Sequence, residues 1–278
     1  MQPLIINLAP TGMVPTRAQS PHLPLTPEAI AADCARCAAL GAGMFHLHAR
    51  DAEGNATMDA GRVRETILAV REKIPGAVIV ATTSGRRTSD PQQRALALTL
   101  EGAAKPDMAS LTLGSMNFAA EASVNAPATI EYLAAAMKER GIRPELEIFD
   151  TGMANFARRL IDKGLIAPPF YFNILLGNPA TAQSRLLHLG AIVADLPPES
   201  IWAVAGIGRY QTQANLLGIA MGDGVRVGLE DNLWFDDERT LPASNPLLVE
   251  RVAAQARLIG REPTTLAELR ARLGLTPE

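Results

Sequence analysis

The chain has 278 residues, 47% of them hydrophobic, a formal net charge of −3 and a mean hydropathy of +0.08. That balance excludes the strongly basic face of a nucleic-acid binder, and no apolar run reaches the roughly 18 residues a membrane span needs. The first residues carry no basic segment of the secretory kind, so a cytoplasmic globular protein of single-barrel size is expected.

Short apolar runs alternate with helical patterns along the whole chain. A strand is predicted over 4–9 and a helix over 27–40, the latter opened by Thr26, Pro27 and Glu28 as cap, first-turn proline and first-turn acid. Next come a strand over 43–49 with a helix over 59–73, then a strand over 77–83 with a helix over 89–102 opened by Asp90-Pro91. Strands over 108–113 and 145–150 precede helices over 127–140 and 153–163. Strands over 170–175, 201–206 and 224–228 precede helices over 180–194, 210–221 and 245–259. Gly41, Gly141 and Gly164 stand just past helices, where a left-handed residue is favoured.

Eight strand–helix units are the count of an α/β protein of the TIM (β/α)8 barrel type, here one domain over residues 1–278. A short extra helix over 264–273 is expected to cap the barrel or to pack on a neighbouring subunit. Cys34 and Cys37 form a C-x-x-C in an alanine-rich helix, which reads as two small packing residues rather than a redox pair.

His46 and His48 are two of only four histidines, and they stand two apart in an apolar strand, so both face one side. With Glu230 they make a two-histidine, one-carboxylate set that leaves a position on a zinc ion open. Barrel parity turns His46, His48 and Arg50 inward on the second strand, and Arg226, Gly228 and Glu230 on the eighth. Such groups must be paired or ligated inside a core; an Arg226–Glu230 ion pair is the structural alternative. Gly228 reads as space for a ligand to approach the backbone. Thr82, Thr83, Ser84, Gly85, Arg86 and Arg87 end the third strand, Ser110 and Thr112 the fourth, and Glu145, Glu147 and Asp150 the fifth. Each is a plausible ligand contact, although hydroxyls in turns are common. His22 lies on the loop after the first strand and His188 reads as a surface or packing residue.

Several ordered segments carry a resemblance: Ser20-Pro-His-Leu-Pro-Leu-Thr-Pro27, His46-Leu-His-Ala-Arg50, Lys105-Pro-Asp-Met-Ala-Ser110, Gly114-Ser-Met-Asn-Phe118 and Glu147-Ile-Phe-Asp-Thr-Gly152. Trp202-Ala-Val-Ala-Gly-Ile-Gly-Arg209, Val225-Arg-Val-Gly-Leu-Glu-Asp-Asn232 and Ser244-Asn245 complete it. Over essentially its whole length the chain resembles the β-keto acid cleavage enzymes. The resemblance implies a TIM barrel, zinc, and a homo-oligomer, a tetramer being favoured. It implies His46, His48 and Glu230 as zinc ligands, Asp231 as general base with Arg226 as its partner, and Thr82, Ser110 and Glu147 as substrate or acetyl-CoA contacts. Arg226 is then expected to hold Asp231 ionised near neutral pH. The implied reaction joins a β-keto acid to acetyl-CoA and releases acetoacetate and a new acyl-CoA.

Three departures bear on the substrate. Family members acting on an amino-substituted keto acid carry an acid at position 14; here Val14 cannot pair an ammonium, so a substrate without a distal amino group is expected. Arg86 and Arg87, where the family more often has glycines, suit a distal carboxylate or a CoA phosphate, or lie as solvated charge. The segment 175–184 is shorter than the family's glycine-rich loop. An amidohydrolase-type enzyme would need further histidines on the fifth and sixth strands, which have none. A zinc-dependent aldolase would act without CoA, and a non-catalytic binding barrel would bind no zinc.

Overall fold

A computed structural model describes residues 2–276. Eight strands follow in chain order: β1 Ile5–Leu8, β2 Met44–Leu47, β3 Val78–Ala81, β4 Met108–Thr112, β5 Arg143–Ile148, β6 Phe170–Leu176, β7 Ser200–Gly206 and β8 Gly224–Val227. All pair in parallel with their chain neighbours, and β8 closes on β1 through Ile5↔Gly224 to Leu8↔Val227. The helices between them are α1 Pro27–Ala39, α2 Ala60–Lys73, α3 Pro91–Arg94, α4 Pro127–Glu139, α5 Thr151–Asp162, α6 Leu186–Ala194, α7 Gln211–Met221 and α8 Asn245–Leu258. Among the described residues no helix is long and apolar enough to cross a membrane.

Outward-facing Phe45, Leu47, Ile79 and Ala81 pack against α1 and α2, and Leu111, Leu146, Ile148 and Phe172 pack on the other side of the ring. The barrel interior is layered by position along the strands. Ile5, Met44, Val78, Val80, Met108 and Tyr171 fill the N-terminal end. Two residues further along the same faces come Asn7, His46, Ser110 and Asn173, all buried. Side chains two apart on a strand share a face, so apolar filling gives way to polar groups toward the C-terminal rim.

The extra helix α9, Leu266–Arg272, plugs the N-terminal end: Leu269 and Leu273 join the interior cluster. A capping box of Thr265 and Glu268 starts it, while Arg270 reaches Asp107 and Arg272 reaches Asp223, each acid just before a strand. Of the two expected roles for this helix, the structure displays the cap. Cys34 and Cys37 are buried in the α1 packing as free thiols, and burial pushes both above the usual thiol range.

Two expected helices are shorter. Over 89–102 only one α-turn forms, followed by 3-10 turns at Leu96–Thr99 and Gly102–Ala104. Thr99 donates its hydroxyl to the Leu96 carbonyl and Gly102 adopts φ +60°, so side-chain bonding and a left-handed residue end the helical register. Helix α6 starts at Leu186, not 180, because Gln183 turns back onto the Asn178 and Thr181 carbonyls, 2.8 Å each. His188 accepts from the Gln183 N–H at 2.8 Å and so braces that turn. A small hairpin, Met116–Asn117 with Ala122–Ser123, follows β4 and was not foreseen.

Candidate active site

His46 is on β2 and His48 one residue past its end; the two Nε2 atoms are 3.1 Å apart. Glu230 reaches them from beyond β8, which ends at Val227. Residues 228–232 form a tight turn in which Asp231 and Asn232 N–H both reach the Gly228 carbonyl. Parity along a strand therefore places the histidines, whereas a turn places Glu230. Asn245 holds this turn, accepting from the Leu229 N–H at 2.9 Å and donating to Asp33 and the Pro10 carbonyl.

Gly228 differs from expectation. It has φ +145°, and a Cβ there would lie 2.2 Å from the Ala9 carbonyl oxygen, so the missing side chain admits the backbone just past β1 rather than a ligand. Gly228→Ala should cost about 2–4 kcal/mol through overlap and strain. Denaturant melts would check this, and a change below the scatter of surface variants would contradict it.

His46 Nδ1 meets Glu145 Oε2 at 2.5 Å, and Glu145 in turn accepts from Asn7 and Asn173 at 2.6 Å each. With Nδ1–H donating, the Nε2 lone pair of His46 is aimed at His48 and Glu230. His48 Nε2 lies 3.1 Å from Glu230 Oε2, a buried oxygen that has no hydrogen bond. Two imidazole nitrogens and a carboxylate oxygen thus converge within 4.8 Å of one another. This donor set fits a divalent ion with a coordination position left over. The second cluster, His46 with Glu145 and Glu147, does not fit as well, because asparagines, Arg226 and Thr112 already occupy its carboxylates.

Arg226 is the electrostatic hub. Its guanidinium bonds Asp231 at 2.9 and 3.2 Å, Glu147 at 2.9 Å and Glu230 at 2.9 Å, so the expected Arg226–Glu230 pair exists within a wider network. Burial opposes charge on His46 most strongly, but the charge and hydrogen bond of Glu145 together with the charge of Glu230 outweigh it and lift the imidazole to about 9. The carboxylates that favour a proton there favour any cation. Burial dominates at His48 and lowers its pKa. Glu230 is held well below the usual carboxylate range because Arg226 and the two histidines overcome its burial. Asp231 departs from expectation: burial and the charge of Glu230 outweigh Arg226, and its carboxyl sits above the ordinary range. A raised carboxylate is a stronger proton acceptor once ionised.

These groups open on one cavity of about 430 Å³ at the C-terminal rim. Thr82, Ser84, Gly85, Arg86, Ser110 and Glu147 all line it, as does Val14, which is 51% exposed. Thr82 Oγ1 accepts from the Ser84 N–H and Ser110 Oγ from the Thr83 N–H, each at 3.1 Å, which leaves both hydroxyl protons for a ligand.

Other rim candidates lie elsewhere. Asp150 caps α5, His22 is exposed away from the cavity, and Arg87 is exposed. Arg50 is turned to the carbonyls of Gly12, Pro15 and Gly54, tying down the loop after β1. Sequence reasoning missed Asn7 and Asn173 as supports of Glu145, and Phe118 and Phe149 as cavity walls. The parity rule that found His46 would have flagged both asparagines; nothing local signals that Phe118 arrives on a hairpin.

Fold and site define a (β/α)8 barrel whose C-terminal rim carries a metal-competent two-histidine, one-glutamate group beside a buried arginine–carboxylate network. The chain belongs to the β-keto acid cleavage enzyme family, whose sequence model matches residues 3–275. It is 39% identical over 276 residues to the 3-keto-5-aminohexanoate cleavage enzyme of Fusobacterium nucleatum subsp. nucleatum, covering 99% of each chain. It is 33% identical over 277 residues to the 3-oxoadipate:acetyl-CoA acetyltransferase of Cupriavidus necator, covering 99% of this chain and 95% of that one. Among solved structures, apo ObcA superposes with a TM-score of 0.80 at 21% identity, covering 92% of this chain and 66% of that chain, which shows a shared barrel.

Proposed function

We propose that the protein is a zinc-dependent, acetyl-CoA-dependent β-keto acid cleavage enzyme. It would convert R–CO–CH₂–COO⁻ and acetyl-CoA into acetoacetate and R–CO–CoA. The observation that carries this reading is the convergence of His46, His48, Glu230, Asp231 and Arg226 on one cavity, in a chain matched by the family along its length.

His46, His48 and Glu230 would hold the ion, which when bound supplies Lewis acidity toward the acid's oxygens and stabilises enolate charge. Asp231 takes a proton from the carbon between carboxylate and ketone. Arg226, with two N–H bonds to Asp231, fixes the carboxylate's direction and keeps its charge compensated before the transfer. The resulting carbanion attacks the acetyl carbonyl carbon and CoA leaves as thiolate. The thiolate then adds to the original ketone carbon, and cleavage of the bond to the former α-carbon gives the new thioester and the acetoacetate enolate, whose carbon takes back the proton held by Asp231. The Thr82 and Ser110 hydroxyl protons and the Gly85 N–H would bind substrate oxygens, a role supported by all three residues lining the cavity. Val14 supports a substrate whose distal end is not an ammonium.

The test is acetyl-CoA labelled with ¹³C in its acetyl group, incubated with the enzyme and a panel of β-keto acids. Labelled acetoacetate together with a new acyl-CoA is expected. Cleavage that proceeds equally without acetyl-CoA would favour the hydrolase or aldolase reading instead. Glu145→Gln should weaken zinc affinity about 10–100-fold by freeing the His46 ring. Competition against a chromophoric chelator reads this, and wild-type affinity would remove Glu145 from the supporting role.

A further inference from the structure

Arg86 lies on the loop after β3 and lines the cavity. Its guanidinium carbon stands 3.5 Å over the Phe118 ring, and Phe118 meets Phe149 edge-on with centroids 5.7 Å apart. Stacking holds the planar group by its face and leaves its rim of N–H donors for hydrogen bonding. The loop is itself anchored, since buried Arg94 donates to the Thr83 carbonyl at 2.8 Å and to Asn125 on the hairpin side at 2.7 Å.

The neighbouring buried arginines are committed: Arg226 to three carboxylates, Arg50 to three carbonyls, Arg94 to Thr83 and Asn125. Among the described residues, the Arg86 guanidinium makes only its stacking contact, with no hydrogen bond or ion pair. Arg239 also lines the cavity, but it is exposed, whereas Arg86 is half-buried. Burial disfavours the Arg86 charge, and Glu230, Glu121, Asp231 and Glu147 act on it from a distance without pairing. A half-buried, stacked cation with donors unspent is built to receive an anion. Val14, on the same cavity, adds no acid that would compete for it.

We propose that Arg86 sets the substrate class: the acid is a β-keto dicarboxylate whose distal carboxylate is bound by the Arg86 fork. This rests on the cavity being a β-keto acid site. A CoA phosphate offers the same oxyanion chemistry, and the experiment separates the two sources.

Binding of 3-oxoadipate and of 3-oxohexanoate, equal in length and differing in the distal carboxylate, is measured by calorimetry on wild type, Arg86→Ala and Arg86→Lys. KM values for each acid and for acetyl-CoA are measured alongside. Wild type is expected to favour the dicarboxylate by about tenfold or more, and Arg86→Ala to lose about 10–100-fold of its affinity for that acid alone. Arg86→Lys should recover part of the preference, since it keeps the charge without the stacked fork. Two outcomes overturn the proposal: equal binding of the two acids by wild type, or a rise confined to the acetyl-CoA KM in Arg86→Ala, which assigns Arg86 to a CoA phosphate. If 3-oxoadipate binds through Arg86 yet no acid reacts with acetyl-CoA, the proposed reaction fails while the anion site stands.

Discussion

His48→Ala is expected to leave the protein folded, without its metal, and at least about a thousandfold slower in acetyl-CoA-dependent cleavage. The residue lies past the end of β2, and its ring touches Glu230 and His46 rather than the apolar filling of the barrel. Its Nδ1 is buried with no hydrogen-bond partner, so removing the ring breaks no further network. The hydrophobic layer at the N-terminal end and the outer strand–helix packing are untouched. Circular dichroism and a thermal melt would establish the fold, and elemental analysis the metal. Near wild-type turnover in a folded variant would dismiss the ligand assignment.

The second large effect is expected for Asp231→Asn. The amide keeps the shape of the carboxylate but cannot accept the substrate proton, so a loss of about 10²–10⁴-fold in turnover should accompany unchanged metal content. Arg226 would keep Glu147 and Glu230, each at 2.9 Å, so its charge remains compensated in the variant. Exchange of the α-carbon hydrogens of the keto acid with deuterated solvent isolates the step. Wild type should promote this exchange and Asp231→Asn should not; exchange at the wild-type rate would take Asp231 out of the base role.

Much of the fold was legible because periodicity in a barrel is strict. Short apolar runs between helical patterns identified all eight strands, and caps such as Thr26 and Asp90 located helix starts. Where local bonding competes with the pattern, the reading went too far. The stretch after Arg94 contains apolar residues at helical spacing, yet Thr99 and Gly102 break it into 3-10 turns.

The candidate site was partly legible for the same reason. His46 and His48 follow from parity on β2, while Glu230 is delivered by a turn that Asn245 braces from across the loop. Glu230 and Asp231 lie close to Arg226 along the chain, whereas the Glu145–His46 contact and the Glu147–Arg226 pair join residues 99 and 79 positions apart, which spacing does not carry. The rise in the Asp231 pKa has the same origin. An arginine neighbour suggests a lowered value, but burial and Glu230 are consequences of assembly that spacing does not carry. Gly228 is needed for a different reason from the one its spacing suggests, because its neighbour is the Ala9 backbone just past the end of β1.

Zinc dependence is tested by preparing wild type and its chelator-stripped form, measuring zinc per chain, and assaying both for acetoacetate from a β-keto acid with and without acetyl-CoA. Wild type is expected to carry close to one zinc per chain and to require acetyl-CoA, to lose metal and activity on stripping, and to recover both when zinc is added back. Full activity in the metal-free protein, or acetoacetate formed at the same rate without acetyl-CoA, would contradict the proposed function.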